Sequence, residues 1–491
     1  MFKNHVKNGH SIYGVAIVLA LSIALAGCNE DNSSSASPSP TPSPPVNAAP
    51  AFSSAATTSV AENTVISFYT LSASDPEGDM IIYTISGGED ANAFTLDGDQ
   101  LRFTTPPDHD LPGDANSDNV YKVQLQASDG QKNASLALEV IVTNDKEGIA
   151  LHRVASGFDD PVAIAAIPGD TRLFVVERAG TIYLLEPATG QKTLFQTLAN
   201  TSTEGERGLQ AIAVAPDYQT SGRYFVMLSS STGELIITYC RRSGTFGSPE
   251  CQGNAVYAPH TEANDYSGFL GYGPDGKLYI ATGDAGGSGD PSGSAQDDSS
   301  YLGKLVRLDD NPDPYAGASP IPYLRTIISK GFHNPRGGAF HNGKLLLADR
   351  GESVKEEVDL LDVSSSANYG WPVKEGTSLT GSATLAGAVD PVIEYPHSSG
   401  GGIVGGHVYG GQVASLKNLY IFADQNGAIY SVPAADIASG QTLGKSAISD
   451  RTVDFAPDAG SFDAPVAFAK DNQGETYIAD SGGDIFRVDS E

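Results

Sequence analysis

Hydrophobic and polar residues alternate in short runs along most of this chain, and clusters of Gly, Asp, Asn and Ser separate the runs. Between about Ala49 and Asp145 the runs VISFYTLSA, MIIYTIS, LRFTT, YKVQLQAS and ASLALEVIV carry the two-residue period of half-buried strands. They predict a β-sandwich over residues 49–146. From about Gly148 a different unit recurs: LFVVERAGTIYLLE, KLYIATGD, KLLLADRG, LYIFADQNGAIYSVP and TYIADSGGDIFRVDSE. Each reads as a strand, a tight Asp/Gly turn and often a second strand, at a spacing of roughly 50–70 residues. With RYFVMLSS and ELIITYCRR, about six such units fill residues 147–491, and no convincing amphipathic helix interrupts them. The expected fold class is all-β, a six-bladed β-propeller preceded by the sandwich. Leu151–Ala155 (LHRVA) is expected to pair with the last blade and close the ring, because closure protects edge strands.

The N-terminus has a different pattern. Lys3 and Lys7 precede an apolar run from Val15 to Ala26, too short to span a membrane as a finished helix and typical of a secretory signal. It ends in Leu25-Ala26-Gly27-Cys28, which resembles a bacterial lipobox. Residues 1–27 are therefore expected to be a lipoprotein signal and Cys28 the lipidated N-terminus. Asn29 differs from the residue that retains lipoproteins at the inner membrane, which favours the outer membrane, with the protein facing the periplasm or the outside. Residues 28–48, with SPSPTPSPP at their heart, cannot bury a core and read as a semi-extended tether.

The formal charge of −30 excludes nucleic acid as a partner, since phosphates demand Lys/Arg stripes. Scattered carboxylates and Asp-Gly turns suit calcium, although solubility also accounts for such charge. Cys240 and Cys251 flank RRSGTFGSPE; in an oxidising compartment they read as a disulfide, the alternative being two buried thiols. Acidic motifs fall where the sandwich strands stop, and the whole unit resembles a bacterial cadherin-like repeat. The resemblance implies calcium bound by Glu62, Asp75, Glu77, Asp108, Asp110 and Asp129. Ordinary Asp turn chemistry is the alternative.

Six segments of the second unit belong together: GERGLQAIAV, GFLGYGPDGKLYIATGDAGG, GFHNPRGGAF, LLLADRGESVKEEVDLLDV, NYGWPVKEG and DPVIEYPH. They closely resemble the glucose/sorbosone dehydrogenase family. That resemblance implies a calcium-dependent quinoprotein on a six-bladed propeller, with pyrroloquinoline quinone across the central face. It also implies a His that takes the sugar hydroxyl proton, an Arg on the quinone oxygen, and Lys/Arg partners for the cofactor carboxylates. A base near neutral pKa and cations beside developing negative charge make physical sense of that division. Carried across, the base position is Asp265, preceded by Asn264, with His260 the nearest His; the Arg position is His333, before Asn334-Pro335. A Lys/Arg position becomes Gly410, after Tyr409, and an Arg of the next blade's turn becomes Asn426, while Arg207 and Arg350 stand where the glucose enzymes carry neutral amides. The cofactor is thus expected against Arg207, Asn334, Arg350, Gly351, Tyr409 and Asn426.

The calcium elements of the resemblance are the backbone carbonyls of Gly351 and Glu352, and Asp284 in TGD. Glu356, Glu357 and Asp359 follow on one strand, where Glu356 and Glu357 face opposite sides and so do not share an ion. Trp371 reads as blade packing. No CxxC, HExxH, P-loop or G-x-S-x-G signature competes. The implied function is oxidation of a sugar or oligosaccharide hydroxyl, with electrons passed to a respiratory acceptor. The substituted base, Arg and Lys positions leave open an alternative: a calcium-dependent carbohydrate-binding or adhesion module without redox turnover.

Overall fold

The computed structural model describes residues 46–199, 201–242, 249–260, 262–309, 323–397 and 401–491. The predicted signal, Cys28 and most of the tether lie outside the described residues.

The first strands form a sandwich. Thr57–Ala61, Asn133–Thr143, Val120–Ser128 and Ile82–Gly87 make one four-stranded sheet, in that order, and Tyr69–Thr70, Gln100–Phe103 and Phe94–Asp97 make a facing three-stranded one. Alternation along Val120–Ser128 turns Tyr121, Val123, Leu125 and Ala127 inward. Phe94 and Phe103 meet at 4.7 Å, and Phe103 meets Tyr121 edge-on at 5.0 Å, the geometry aromatic quadrupoles favour.

Among the described residues, most of the remaining strands form six sheets of four or five strands, antiparallel except where Arg325–Lys330 pairs parallel with Ala367–Asn368. Their innermost strands are Pro161–Ala166, Leu209–Val214, Gly268–Tyr272, Asn334–His341, Ile403–Val408 and Pro465–Lys470. These neighbour one another in cyclic order, with the sixth beside the first, which makes a β-propeller. Ile149–Ala155 pairs antiparallel with Ile485–Ser490 as the outer strand of the last sheet, so the N-terminal strand closes the ring. Small residues occupy the inner strands because these strands converge on the axis: a Cβ on Gly405 would lie 2.5 Å from the Gly337 carbonyl oxygen. The axial cavity is about 310 Å³. Cys240 and Cys251 face each other on adjacent strands and are joined by a disulfide.

Sandwich and propeller belong to one compact unit, Ala48–Glu491. At their junction the Arg451 guanidinium bonds Asp110, Glu147 (2.6 Å) and Asp454 (3.4 Å), while Asp450 N–H donates to the Asp110 carbonyl at 2.8 Å. Glu62, Asp108 and Asp110 converge here. The other three acids predicted to share their calcium do not join them. Asp129 closes the opposite end of the Val120–Thr143 hairpin, accepting the Gln131 and Lys132 N–H groups. Asp75 accepts the Glu77 and Asp79 N–H groups at 3.0 Å within its own turn, and Glu77 accepts Ala48 N–H at 3.1 Å. Asp75 and Asp129 each serve a local turn through Oδ1, with Asp75 Oδ2 buried and unpartnered, and a propeller guanidinium already sits against the acids at the junction.

Candidate functional site

Loops leading into the second, third and fourth inner strands open onto a cavity of about 240 Å³, lined by Glu206, Asn264, Asp265, Gly287, His333, Arg350, Gly351 and Glu352. Glu206 holds the cluster together. Its carboxylate accepts Arg336 Nη2 at 2.7 Å, Arg350 Nη1 at 3.1 Å and Asp265 N–H at 2.9 Å. Burial would raise its pKa, but the two guanidiniums outweigh that and hold it below the ordinary value.

Asp265 sits at φ 56°, a left-handed conformation that a non-glycine residue adopts only when its surroundings impose it. Asn334 Nδ2 donates to its Oδ1 at 2.8 Å and Asn264 Nδ2 to its Oδ2 at 2.9 Å. Burial raises its pKa, with His333 opposing. His333 lies 3.7 Å from Asp265 through Nε2, and its Nδ1 is 2.6 Å from the Arg350 carbonyl oxygen. Burial lowers the pKa of His333, but Asp265, Asp284 and Asp349 together carry it above the ordinary histidine value. Asp284 is fully buried. It receives Trp371 Nε1–H at 2.6 Å and Gly286 N–H at 2.9 Å, and burial pushes its pKa to about 6. Trp371 also packs on the His333 ring, centroids 4.4 Å apart. It therefore orients the site as well as packing a blade.

Behind His333 lies a second acidic group. Asp349 accepts the His333 and Asn334 N–H groups at 2.9 and 2.7 Å. Strand register sets Asp349 opposite Glu357, two residues from Asp359 on the same face. Each of the three offers an oxygen within 4.8 Å of the others. Glu357 Oε2 and both oxygens of Asp359 are buried without a hydrogen-bond partner. Burial and mutual repulsion raise the pKa of Glu357 and Asp359 well above the ordinary carboxylate value, and burial raises that of Asp349 to about 7. Glu356 points to the other face, against His397 at 2.5 Å and Ile403 N–H at 2.9 Å.

Asp265, Asp284, His333, Asn334, Arg350, Gly351 and Glu352 thus surround one region. Tyr409 does not join them. It lies past the far end of Ile403–Val408, donates its hydroxyl to Glu475 at 3.0 Å and packs in the core with Ile149, Leu151 and Leu416. Asn426 sits in the turn after Leu419–Asp424, where its Oδ1 accepts Ala428 N–H at 3.0 Å, and it does not line the cavity. Arg207 does not line the cavity; it pairs with Glu204 at 2.9 Å and with the Tyr266 hydroxyl at 3.1 Å. His260 stacks on Tyr266 at 3.7 Å; burial pushes its pKa to about 4. Glu206 and Arg336 were not anticipated. Their signal was adjacency: Glu206 precedes Arg207 in GERG, and Arg336 follows Asn334-Pro335.

Residues 158–424, more than half of the chain, match the family Glucose / Sorbosone dehydrogenase. The chain belongs to this family. Among similar curated proteins are the quinoprotein glucose dehydrogenase B of Acinetobacter calcoaceticus, 28% identical over 45% of this chain and 51% of that one, and the HIPL1 protein of Arabidopsis thaliana, 25% identical over 58% and 53%. The chain spans about half the length of these relatives. The PQQ-bound aldose sugar dehydrogenase of Streptomyces coelicolor is similar in fold: TM-score 0.54, 22% identity, over 70% of this chain and 98% of that one.

Proposed function

We propose that this chain is a quinoprotein-type sugar dehydrogenase that binds a sugar hydroxyl at Asp265 and uses pyrroloquinoline quinone and calcium. The observation that carries the reading is the buried Asp265 carboxylate, proton-affine and open to a cavity whose other wall is Arg350. The residues fit an anionic quinone: Arg336 and Arg350 bring two guanidiniums against the single carboxylate of Glu206, leaving one positive charge over. They also fit calcium, a hard ion that takes carboxylate oxygens. Besides the expected place at Gly351, Glu352 and Asp284, the cluster of Asp349, Glu357 and Asp359 could hold it, through the unpartnered oxygens of Glu357 and Asp359.

When bound, the quinone supplies the hydride acceptor. The chain does the rest. Asp265, its oxygens fixed by Asn264 and Asn334, receives the hydroxyl proton. Its raised pKa makes it a better acceptor than a solvated Asp. Arg350 faces charge that develops on oxygen. In this reading Cys28 carries a lipid anchor at the bacterial outer membrane, the tether holds the protein off the membrane, and a respiratory acceptor takes the electrons. The sandwich is a cadherin-like spacer.

The test is to add calcium and pyrroloquinoline quinone to the purified mature chain, then follow its melting temperature and sugar-dependent dye reduction across a broad sugar panel. No shift together with no reduction refutes the dehydrogenase reading. Glu206 favours a second reading, a carbohydrate-binding or adhesion module, because it engages both guanidiniums that a cofactor carboxylate would need. Sugar binding without dye reduction would support that one.

A further inference from the structure

We infer that Lys304 is a positioning residue of the candidate site: its buried ammonium ties down the loop from Gly283 to Gly303, and through that loop it orders Trp371 and Asp284. The loop joins the strands Leu278–Thr282 and Lys304–Leu308. It has no secondary structure of its own, and a loop this long usually serves a function. Gly, Ser and Asp dominate it. Ala285, Ala295 and Leu302 are the apolar side chains it buries, so apolar contact holds it weakly. Yet it carries Asp284, lends Gly287 to the cavity wall and gives Gly289 N–H to Glu352 at 3.2 Å.

What fixes this loop is polar. Asp290 accepts the Ser294 and Ala295 N–H groups at 2.8 and 2.9 Å, and Gly303 N–H closes the base on the Gly283 carbonyl at 2.7 Å. Lys304 supplies the central tie. Its side chain is fully buried, and Nζ donates to the carbonyl oxygens of Ser294 at 2.6 Å, Leu302 at 2.8 Å and Ala295 at 3.0 Å. Carbonyls only accept. Three of them need three N–H groups, which an ammonium has and a neutral amine lacks. Burial and Lys330 lower its pKa to about 8, against Asp297, Asp290 and Asp298, so it stays charged at pH 7. Hydrogen bonds from a charged donor are roughly twice as strong as neutral ones. Three of them pin the middle of the loop to its end.

Two branches lead from the pinned segment to Trp371. Gln296, next to Ala295, donates from Nε2 to the Trp371 carbonyl at 2.6 Å and exchanges hydrogen bonds with the Asn368 side chain at 3.1 and 2.8 Å. Gly331 N–H donates to the Ala295 carbonyl at 3.2 Å, and the Gly331 carbonyl accepts Trp371 N–H at 3.1 Å. The indole then holds Asp284 at 2.6 Å and packs on His333. Lys304 does not line the cavity, so it acts on the site only through these neighbours. What the ordered site then does rests on the proposed function; the ordering does not.

Trp371 is the only tryptophan of the chain and is buried, so its fluorescence reports the order of the site in the full chain without cofactor or sugar. Lys304→Met keeps the stem and drops the charge. It should shift the emission to longer wavelength and raise quenching by acrylamide, and Gln296→Leu should do the same with Lys304 intact. In Lys304→Ala, propylammonium chloride replaces the missing part of the side chain and should restore the parent emission, whereas propanol and tetramethylammonium chloride should not. Reducing the Cys240–Cys251 bond controls for lost stability, lowering the melting temperature with the emission in place. Parent-like emission in Lys304→Met overturns the inference even if the melting temperature falls, because Lys304 is then a stabilising residue only. An equal shift in the reduced parent, or an equal response of Lys304→Ala to all three additives, overturns it too. Should both Lys304 variants fail to fold, Gln296→Leu decides: parent-like emission overturns the relay, and a shift to longer wavelength supports it. A negative result leaves the dye-reduction test untouched, so the two readings fall separately.

Discussion

Asp359→Asn should reverse the sign of its effect on stability when calcium is removed. Both Asp359 oxygens are buried without partners, beside Glu357 and Asp349. An unsatisfied buried polar group costs about 1–3 kcal/mol, more when charged. Without calcium at pH 8, the variant replaces a buried carboxyl whose ionisation the site opposes with a neutral amide that can donate to its acidic neighbours, and should gain about 2 kcal/mol. With calcium at about 1,000 times its Kd, the parent gains about 4 kcal/mol by mass action, and the variant, short of one ligand, loses most of that. Unfolding entropy of about 2.1 cal/mol/K per residue over the propeller makes 1 kcal/mol worth roughly 1.5 °C. The variant should therefore melt about 3 °C above the parent in EGTA and several degrees below it in calcium. Proton linkage adds a second handle. These carboxylates have raised pKa values when folded, so the calcium-free fold binds more protons than the unfolded chain above about pH 4. Its stability should fall as pH rises from there through about 7, the value for Asp349, and calcium should stabilise more at pH 8 than at pH 5. Scanning calorimetry at both pH values reads all of this. A variant that melts below the parent in both calcium and EGTA would refute the reasoning.

Asp265→Asn should lower sugar-dependent dye reduction about 10²–10⁴-fold; an unchanged rate removes Asp265 as the base. Arg451→Met leaves Asp110, Glu147 and Asp454 without their shared cation. It should cost about 3–5 kcal/mol, with partial rescue by calcium at the Glu62, Asp108 and Asp110 cluster, and two separate melting transitions or early proteolysis near residue 147 would report the loosened junction. An unaltered single transition would mean that Arg451 does not couple the units. Reducing the Cys240–Cys251 bond, whose sequence separation is 11, should cost about 3 kcal/mol by chain entropy and lower the melting temperature. A melt insensitive to dithiothreitol would contradict this.

The alternating runs and the recurring strand-turn units were enough to specify strands, a sandwich and a ring of sheets, because side-chain direction follows the strand period. The need to protect edge strands also anticipated Leu151–Ala155 as the closing strand, which the fold extends to Ile149–Ala155. The resemblance of local motifs to the glucose/sorbosone dehydrogenase family implied that Asp265, His333, Asn334 and Arg350 belong to one site. It could not say how far each lies from the axis, and Tyr409 shows why. It follows the same inner strand that approaches the site at Ile403, but six extended residues carry it to the opposite end and into the core. The acids of the sandwich divide for the same reason, Asp129 and Glu62 lying at opposite ends of one long hairpin. Only the tertiary structure could decide the electrostatics. Glu206 lies between Arg336 and Arg350, more than 125 residues away along the chain, and His333 sits between carboxylates from two other loops. Charge interactions depend on distance and burial in space, and sequence separation determines neither.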